Sequence, residues 1–259
     1  MRIIRMVDVM ADRGKAFWVI TVAAVLLTAV GVRLGVWQLD RAHQKEAWVA
    51  AIANQASRPA LDNQGVAQVA SQGSNSVVAE YVHRPVRLTG RWLPAHTVFL
   101  DNRQMNGRVG FYVVTPLQLV DVTGSETPLV VVVQRGWVPR DFLDRARVPE
   151  ILTPGGPIEI VGRLAPPPTQ LYSLGEAQPT RIRQNLDWPA YEKELGEPIG
   201  SYSVVQTGVM SEGLLREWPQ VDAKIYTHYG YAAQWFALAA LIFVLYIWFQ
   251  WIAPHRVKN

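Results

Sequence analysis

The chain contains no cysteine. No disulfide can staple it, no thiol chemistry is open to it, and thiolate-bound zinc or copper sites are excluded. The short motifs that carry common chemistries are missing as well. There is no Gly-x-Ser-x-Gly elbow, no phosphate-binding loop, no His-Glu-x-x-His and no dinucleotide fingerprint. No internal repeat is evident, and the net charge of +4 is spread along the chain. Without a basic stripe interleaved with aromatics outside the tails, nucleic acid is not an expected partner.

What the sequence does have is two long apolar runs, one near each end. The second runs from Tyr229 to Ile252 and is entered through a histidine, His228. Roughly 24 residues rising about 1.5 Å each span about 36 Å, enough to cross a hydrocarbon core of about 30 Å with some tilt. The first, Ala16 to Val32, continues past Arg33 through Leu34, Val36 and Trp37, and is also long enough to cross. It lacks a clear Ala-x-Ala cleavage site and passes into an amphipathic helix, so an uncleaved anchor is expected rather than a signal peptide. Arg2, Arg5, Arg13 and Lys15 precede the first run and Arg256 and Lys258 follow the second, which places both tails in the cytoplasm. The expected division is residues 1–15 as a cytoplasmic tail, 16–37 and 227–252 as spans, 38–226 as an extracytoplasmic domain, and 253–259 as a second cytoplasmic tail. In a bacterium this is a two-pass protein of the inner membrane with a periplasmic domain.

The intervening segment is the size of one ordinary domain with a real core. Residues 38 to about 57 are rich in helix formers, with Leu39, Ala42, Trp48 and Ile52 giving a stripe, so the first span is predicted to run on as a helix. Residues 58–77 shift to Gln, Asn, Ser and Gly and read as a surface loop. Strand patterns follow. Val86, Leu88 and Trp92 alternate with Arg87, Thr89 and Arg91, and similar runs occur at 97–100, 110–120, 129–137, 158–164 and 202–207. The uninterrupted run from Leu129 to Val133 is apolar on both faces and predicts a central strand. A short helix at 188–195 is capped by Asp187, has proline at its second position and stops at Gly196. The fold class is therefore a membrane protein of α+β type: two transmembrane helices flanking a mainly antiparallel β extracytoplasmic domain, or partial barrel, with short helices.

Of the five histidines, His43, His83, His96 and His255 stand alone in polar sequence and read as solvated or hydrogen-bonded surface residues. Asp141 with Asp144 reads as a loop charge pattern rather than an acid/base pair. His228 differs in its depth. A neutral imidazole is the commonest protein ligand for metals and for haem iron, and residues 228, 232, 235 and 239 share a helix face. Below His228 that face presents Ala232, Trp235 and Ala239, a low shelf for a flat macrocycle. The competing reading makes His228 an interfacial polar residue in an aromatic belt with Tyr226, Tyr229 and Tyr231. Gly31 and Gly35, with Ala24 and Thr28, form a small-residue stripe open to another helix, and Ala233, Ala237 and Ala240 offer the like in the second span. Arg33, near the outer end of its span, is expected to snorkel.

Taken in order, these residues resemble a family: Gly35-x-Trp37-Gln38-x-x-Arg41-x-x-x-Lys45, Arg84-Pro85-Val86, Thr89-Gly90-x-Trp92, Asp101-Asn102-Arg103, Thr115-Pro116-Leu117, Arg135-Gly136-Trp137-Val138-Pro139, Asn185-Leu186-Asp187, and His228-Tyr229-x-Tyr231-Ala232-x-Gln234-Trp235-Phe236. The series is similar to the Surfeit locus protein one family, membrane factors for assembly of haem-copper oxidases. One departure is Gln134, where the family often has asparagine. The resemblance implies no enzyme activity but a role in delivering haem a to the catalytic subunit of cytochrome c oxidase, with haem a synthase and the bilayer as further partners. It also implies His228 as the axial haem ligand. Arg41 or Lys45, near the outer end of the first helix, either pairs with propionates or serves as a plain interfacial anchor. The alternative is a structural scaffold that holds partner membrane subunits together without specific haem ligation.

Overall fold

The computed structural model describes residues 14–72, 75–123, 128–144, 146–172, 180–219 and 224–256. In chain order its elements are α1 (Lys15–Ala56), α2 (Asn63–Ser71), α3 (Asn75–Tyr81), β1 (Pro85–Trp92), β2 (Val98–Met105), β3 (Arg108–Leu119), β4 (Val130–Pro139), β5 (Ile158–Ala165), β6 (Ile182–Arg183), α4 (Trp188–Leu195), β7 (Ile199–Gln206) and α5 (Ile225–Ile247). A π-helical turn, Trp248–Ile252, and a final helical turn, α6 (Ala253–Arg256), continue α5. The chain forms two compact units, one of Met1–Ala50 with Val221–Asn259 and the other of Ala51–Gln220. Arg2, Arg5, Arg13 and Lys258, on which the expected orientation leans, lie outside the described residues.

α1 is one unbroken helix of 42 residues, all but its last six within the first unit, and about 63 Å long at roughly 1.5 Å per residue. Its sequence has no proline to break it and only Gly31 and Gly35 to weaken it. It continues past Trp37 as the helix formers of 38–56 predict. Both α1 and the α5 region are long and apolar enough to cross a membrane. Val19, Val25, Leu26, Leu241 and Val244 each keep more than half of their surface uncovered. Water would penalise that exposure, while lipid tails accommodate it.

The second unit is a barrel. The strand order is β1-β5-β7-β4-β3-β2-β6, and an added pairing of β1 with β3 (Gly90 opposite Leu119, Trp92 opposite Leu117) closes the ring over five strands. Most neighbours are antiparallel, but β4 runs parallel to β7. This is the connectivity of small five-stranded Greek-key barrels, the OB fold among them. β2 leaves the ring to pair with the first part of β3 through a tight hairpin, where Asn106 and Gly107 both take positive φ.

The central position predicted for the Leu129–Val133 run is where β4 lies, and both its faces are buried because each faces a separate core. Val131 and Val133 join Val86, Leu88, Leu117 and Ile160 in one. Val130 and Val132 point the other way, to Leu100, Leu186 and Tyr191. α4 carries Tyr191 into that outer core, and its ends are those read from sequence. Asp187 accepts the Ala190 N–H at 3.1 Å, and Gly196 closes the helix in the left-handed conformation at φ 72°.

The expected loop over 58–77 is corrected. Within it lie α2 and the start of α3. Asp62 caps α2 by accepting the Gly65 N–H at 2.8 Å, and Val66 and Val69, one turn apart, are buried in the same core as Val86 and Leu88. Asn63 fastens this helix to the barrel, donating to Thr89 O at 2.7 Å and accepting from Thr89 N at 2.9 Å. The polar composition hid the helix because a nine-residue helix pressed onto a core on one side is held here by two buried apolar residues.

Candidate functional site

α1 and α5 pack side by side along a seam of small residues. On α1 the covered positions Ala24, Thr28, Gly31, Gly35, Gln38 and Ala42 recur at alternating intervals of four and three, and on α5 His228, Ala232, Trp235 and Ala239 do the same. That is the coiled-coil spacing, which keeps one stripe of each helix facing its neighbour. The helices run antiparallel. Thr21 Oγ1 meets Tyr246 Oη at 3.0 Å at one end, and Gln38 meets His228 at the other. Between them the glycines set the approach. A Cβ placed on Gly31 would lie 3.0 Å from the Ala239 Cβ and 3.4 Å from the Trp235 carbonyl oxygen, and one on Gly35 would lie 2.7 Å from the Phe236 ring.

The Gly31/Gly35 stripe takes another helix against it as expected, and that helix is the chain's own α5. Two other expectations change. The counterpart of that stripe on α5 is Ala232 and Ala239, which are almost wholly buried, whereas Ala233, Ala237 and Ala240 face outward. The two stripes lie about 100° apart around α5, and alanine richness made them indistinguishable in sequence. The shelf formed by Ala232, Trp235 and Ala239 is consequently covered by α1. A macrocycle gripped by His228 does not lie on it, and Trp235 sits two turns farther along the seam, against Gly31.

His228 itself lies at the mouth of the seam and is half-buried. Its Nδ1 is 2.7 Å from Gln38 Oε1. A carbonyl oxygen can only accept, so in the neutral ring this contact puts the proton on Nδ1 and leaves Nε2 its lone pair. Among the described residues Nε2 has no hydrogen-bond partner. The next residue, Tyr229, donates its hydroxyl to Glu46 at 2.9 Å, and the His43 ring meets Tyr229 edge-on with centroids 6.4 Å apart. His43 stays exposed, as its sequence context suggested, with its ring beside Tyr229.

Arg41 and Lys45 follow Gln38 by three and seven residues, which puts them on the same flank of α1. The Arg41 guanidinium bonds Gln44 Oε1 at 3.1 Å and covers the Trp37 ring at 5.7 Å. Lys45 is half-exposed. The other flank of α1 holds a groove of about 810 Å³, mostly apolar, lined by Val25, Ala29, Val32 and Val36, with Phe243 of α5 and with Arg33 and Asp40 toward its outer end.

The barrel carries no comparable constellation, and among the described residues no group of histidines and carboxylates is placed to hold a metal ion. His83 takes φ 73° and sets Nδ1 3.2 Å from an Arg163 guanidinium nitrogen; burial first, then that cation, hold its pKa below the ordinary 6.5. His96 lies in a 3-10 turn, where its carbonyl accepts the Tyr191 hydroxyl at 2.6 Å. The side chain of His255 lies outside the described set. Asp141 accepts the backbone N–H groups of Leu143 and Asp144, which lower its pKa, as a loop-capping carboxylate should.

The Arg-Gly-Trp segment is a feature that sequence reasoning quoted without assigning it a role. Arg135 is wholly buried and bonds Glu212 at 2.8 Å, Leu152 O at 3.0 Å and Thr153 Oγ1 at 2.9 Å, with its guanidinium 4.5 Å from the Trp92 ring centre. The Trp137 indole donates to Arg103 O at 2.9 Å. Gln134, in the place of the more usual asparagine, donates to Ser203 Oγ at 2.9 Å and so ties β4 to β7. The segment holds the barrel together and offers no open site.

Two apolar helices that enclose, in sequence, a closed β-barrel and carry a tethered imidazole at one end of their seam define a membrane-anchored barrel protein. The chain belongs to the SURF1 family, whose defining pattern matches residues 25–240, from the first span into the second. It is similar to the SURF1-like protein of Rickettsia bellii, with 26% identity over 235 residues that cover 87% of this chain and 89% of that relative. The SURF1-like protein of Rickettsia felis is 25% identical over 234 residues, 86% of this chain and 93% of its own length. That of Rickettsia prowazekii is 23% identical over 241 residues, covering 90% and 88%. The family is one of assembly factors linked to cytochrome oxidase, not an enzyme family.

Proposed function

We propose that this protein holds haem a at the extracytoplasmic edge of the membrane and passes it to the catalytic subunit of a haem-copper cytochrome c oxidase. The observation that carries the reading is the uncommitted Nε2 of a half-exposed imidazole at the mouth of the helix seam. The donor set suits a haem iron, since a neutral imidazole with its far nitrogen tethered is the usual axial ligand. Bound haem would supply an iron centre that takes one bond from Nε2. Because the shelf at Ala232 is covered by α1, a haem held by His228 would be bound from the exposed side of the imidazole, where a receiving protein could reach it.

Arg41 and Lys45, on the flank of Gln38, are the cations placed to meet propionates from the aqueous side. Arg41 would exchange its bond to Gln44 for a carboxylate. A single protein bond to iron, reinforced by exposed ion pairs, holds the cargo without making release slow. Haem a synthase is the natural donor and the oxidase subunit the acceptor, both within the bilayer. The tails are cytoplasmic and the barrel extracytoplasmic on this reading.

The scaffold alternative loses one support, because Gly31 and Gly35 are occupied within the chain. The test is the absorption spectrum of detergent-purified protein from cells that make haem a. Wild type should carry a red-shifted haem spectrum and His228→Ala should lose it. Equal haem content in the two proteins would sink the assignment.

A further inference from the structure

We infer that Gln38 is the positioning residue of this site, fixing which nitrogen of His228 is offered to iron; the inference rests on His228 being the ligand. An imidazole left to itself is protonated on either ring nitrogen, and with the proton on Nε2 it has no lone pair to give outward. The 2.7 Å contact to an amide oxygen removes that choice. Gln38 Oε1 accepts the Nδ1 proton, so the tautomer and the ring plane are set before any ligand arrives.

The sequence makes this contact possible through its neighbours. Gly35 and Ala42, one turn to either side of Gln38, are both buried and keep the two backbones close. The Gln38 side chain can then cross a seam that joins residues 190 positions apart in sequence. A shorter side chain would not reach, and an apolar one would leave Nδ1 seeking water at the mouth. The bond also acts electronically. Accepting a proton's hydrogen bond raises the basicity of the opposite nitrogen, and a full carboxylate in the same place raises it further.

The experiment uses the full chain in detergent, titrated with ferric protoporphyrin IX, in four forms: wild type, His228→Ala, Gln38→Met and Gln38→Glu. Gln38→Met, similar in length and apolar, should weaken binding by about 10–100-fold. Gln38→Glu should bind at least as tightly as wild type, with a lower haem midpoint potential and a raised iron–imidazole stretching frequency in the ferrous form. A residue that merely fills the seam would move neither of those two readings. If His228→Ala loses haem while Gln38→Met binds like wild type, or Gln38→Glu leaves both potential and stretch unchanged, the inference is overturned and the ligand stands. If His228→Ala binds like wild type, the ligand reading falls and takes this one with it. A Gln38→Met chain that fails to fold leaves the decision to Gln38→Glu, which retains the length and polarity of the native side chain.

Discussion

Glu212→Gln should destabilise the barrel sharply, because it deprives a wholly buried guanidinium of its counter-charge while preserving shape. Arg135 is fully enclosed in β4, and Glu212 supplies its only carboxylate among the described residues at 2.8 Å, shared with Arg216 at 3.5 Å. Removing one partner of a buried pair costs about 3–5 kcal/mol, mostly because the remaining charge is stranded. The Arg216 side chain, itself 4% exposed, also loses its carboxylate, which argues for the upper part of that range. For a unit the size of Ala51–Gln220, each kcal/mol lowers Tm by about 2–4 °C, so the fall should be roughly 6–20 °C. Adding Arg135→Met removes the stranded cation, and since apolar replacement of a buried pair is often close to neutral, the double variant should regain about 1–2 kcal/mol over Glu212→Gln alone. A thermal melt of the full chain in detergent followed by tryptophan fluorescence reads both effects, because Trp92 stacks on Arg135. A Glu212→Gln melt within about 2 °C of wild type, or strictly additive losses in the double variant, would refute the reasoning.

Two further outcomes follow from distances already given. The chain has no cysteine, so Gly31→Cys combined with Ala239→Cys puts a lone pair of thiols into the seam; with Cβ positions 3.0 Å apart, slightly closer than the disulfide range of about 3.5–4.5 Å, a small separation of the helices brings them into range, and oxidation should cross-link them, seen as a shift on non-reducing gels; failure to link would contradict the helix pairing. His83 has a lowered pKa in the folded barrel through burial and Arg163, so below its ordinary 6.5 the unfolded chain binds more protons and stability falls as pH drops. His83→Asn, which tolerates the positive φ, should flatten the decline of Tm through that window, and an unchanged pH profile would count against the assignment.

Much of this architecture can be read in the residues. The period-two pattern of Val86, Leu88 and Trp92 survives as the inward face of β1, and Asp187, proline and Gly196 bound α4 because capping and breaking are local properties. Long-range properties are less legible. Nothing local distinguishes a curved sheet from one whose first and third strands meet, and the closure at Gly90–Leu119 depends on how five strands twist together. In the helices, composition announced small-residue packing, but the choice between Ala232/Ala239 and Ala233/Ala237/Ala240 is a rotation of about 100° around α5 that only the partner helix settles. His228 was visible from its position at the head of an apolar run. Its partner was not, since a glutamine 190 residues away becomes a neighbour only when the chain doubles back.

The closed ring has a bearing on how other proteins could recognise this one. Five strands that satisfy one another leave no long row of spare amide and carbonyl groups, and the outer side of β2 is already partly occupied by the two-residue β6. An incoming polypeptide could extend the sheet by main-chain pairing only outside the ring, beside the part of β2 beyond Leu100 that β6 does not cover. On the ring itself contact must be made through side chains and connecting segments, so specificity there is encoded in residues that can be exchanged one at a time without unfastening the strands.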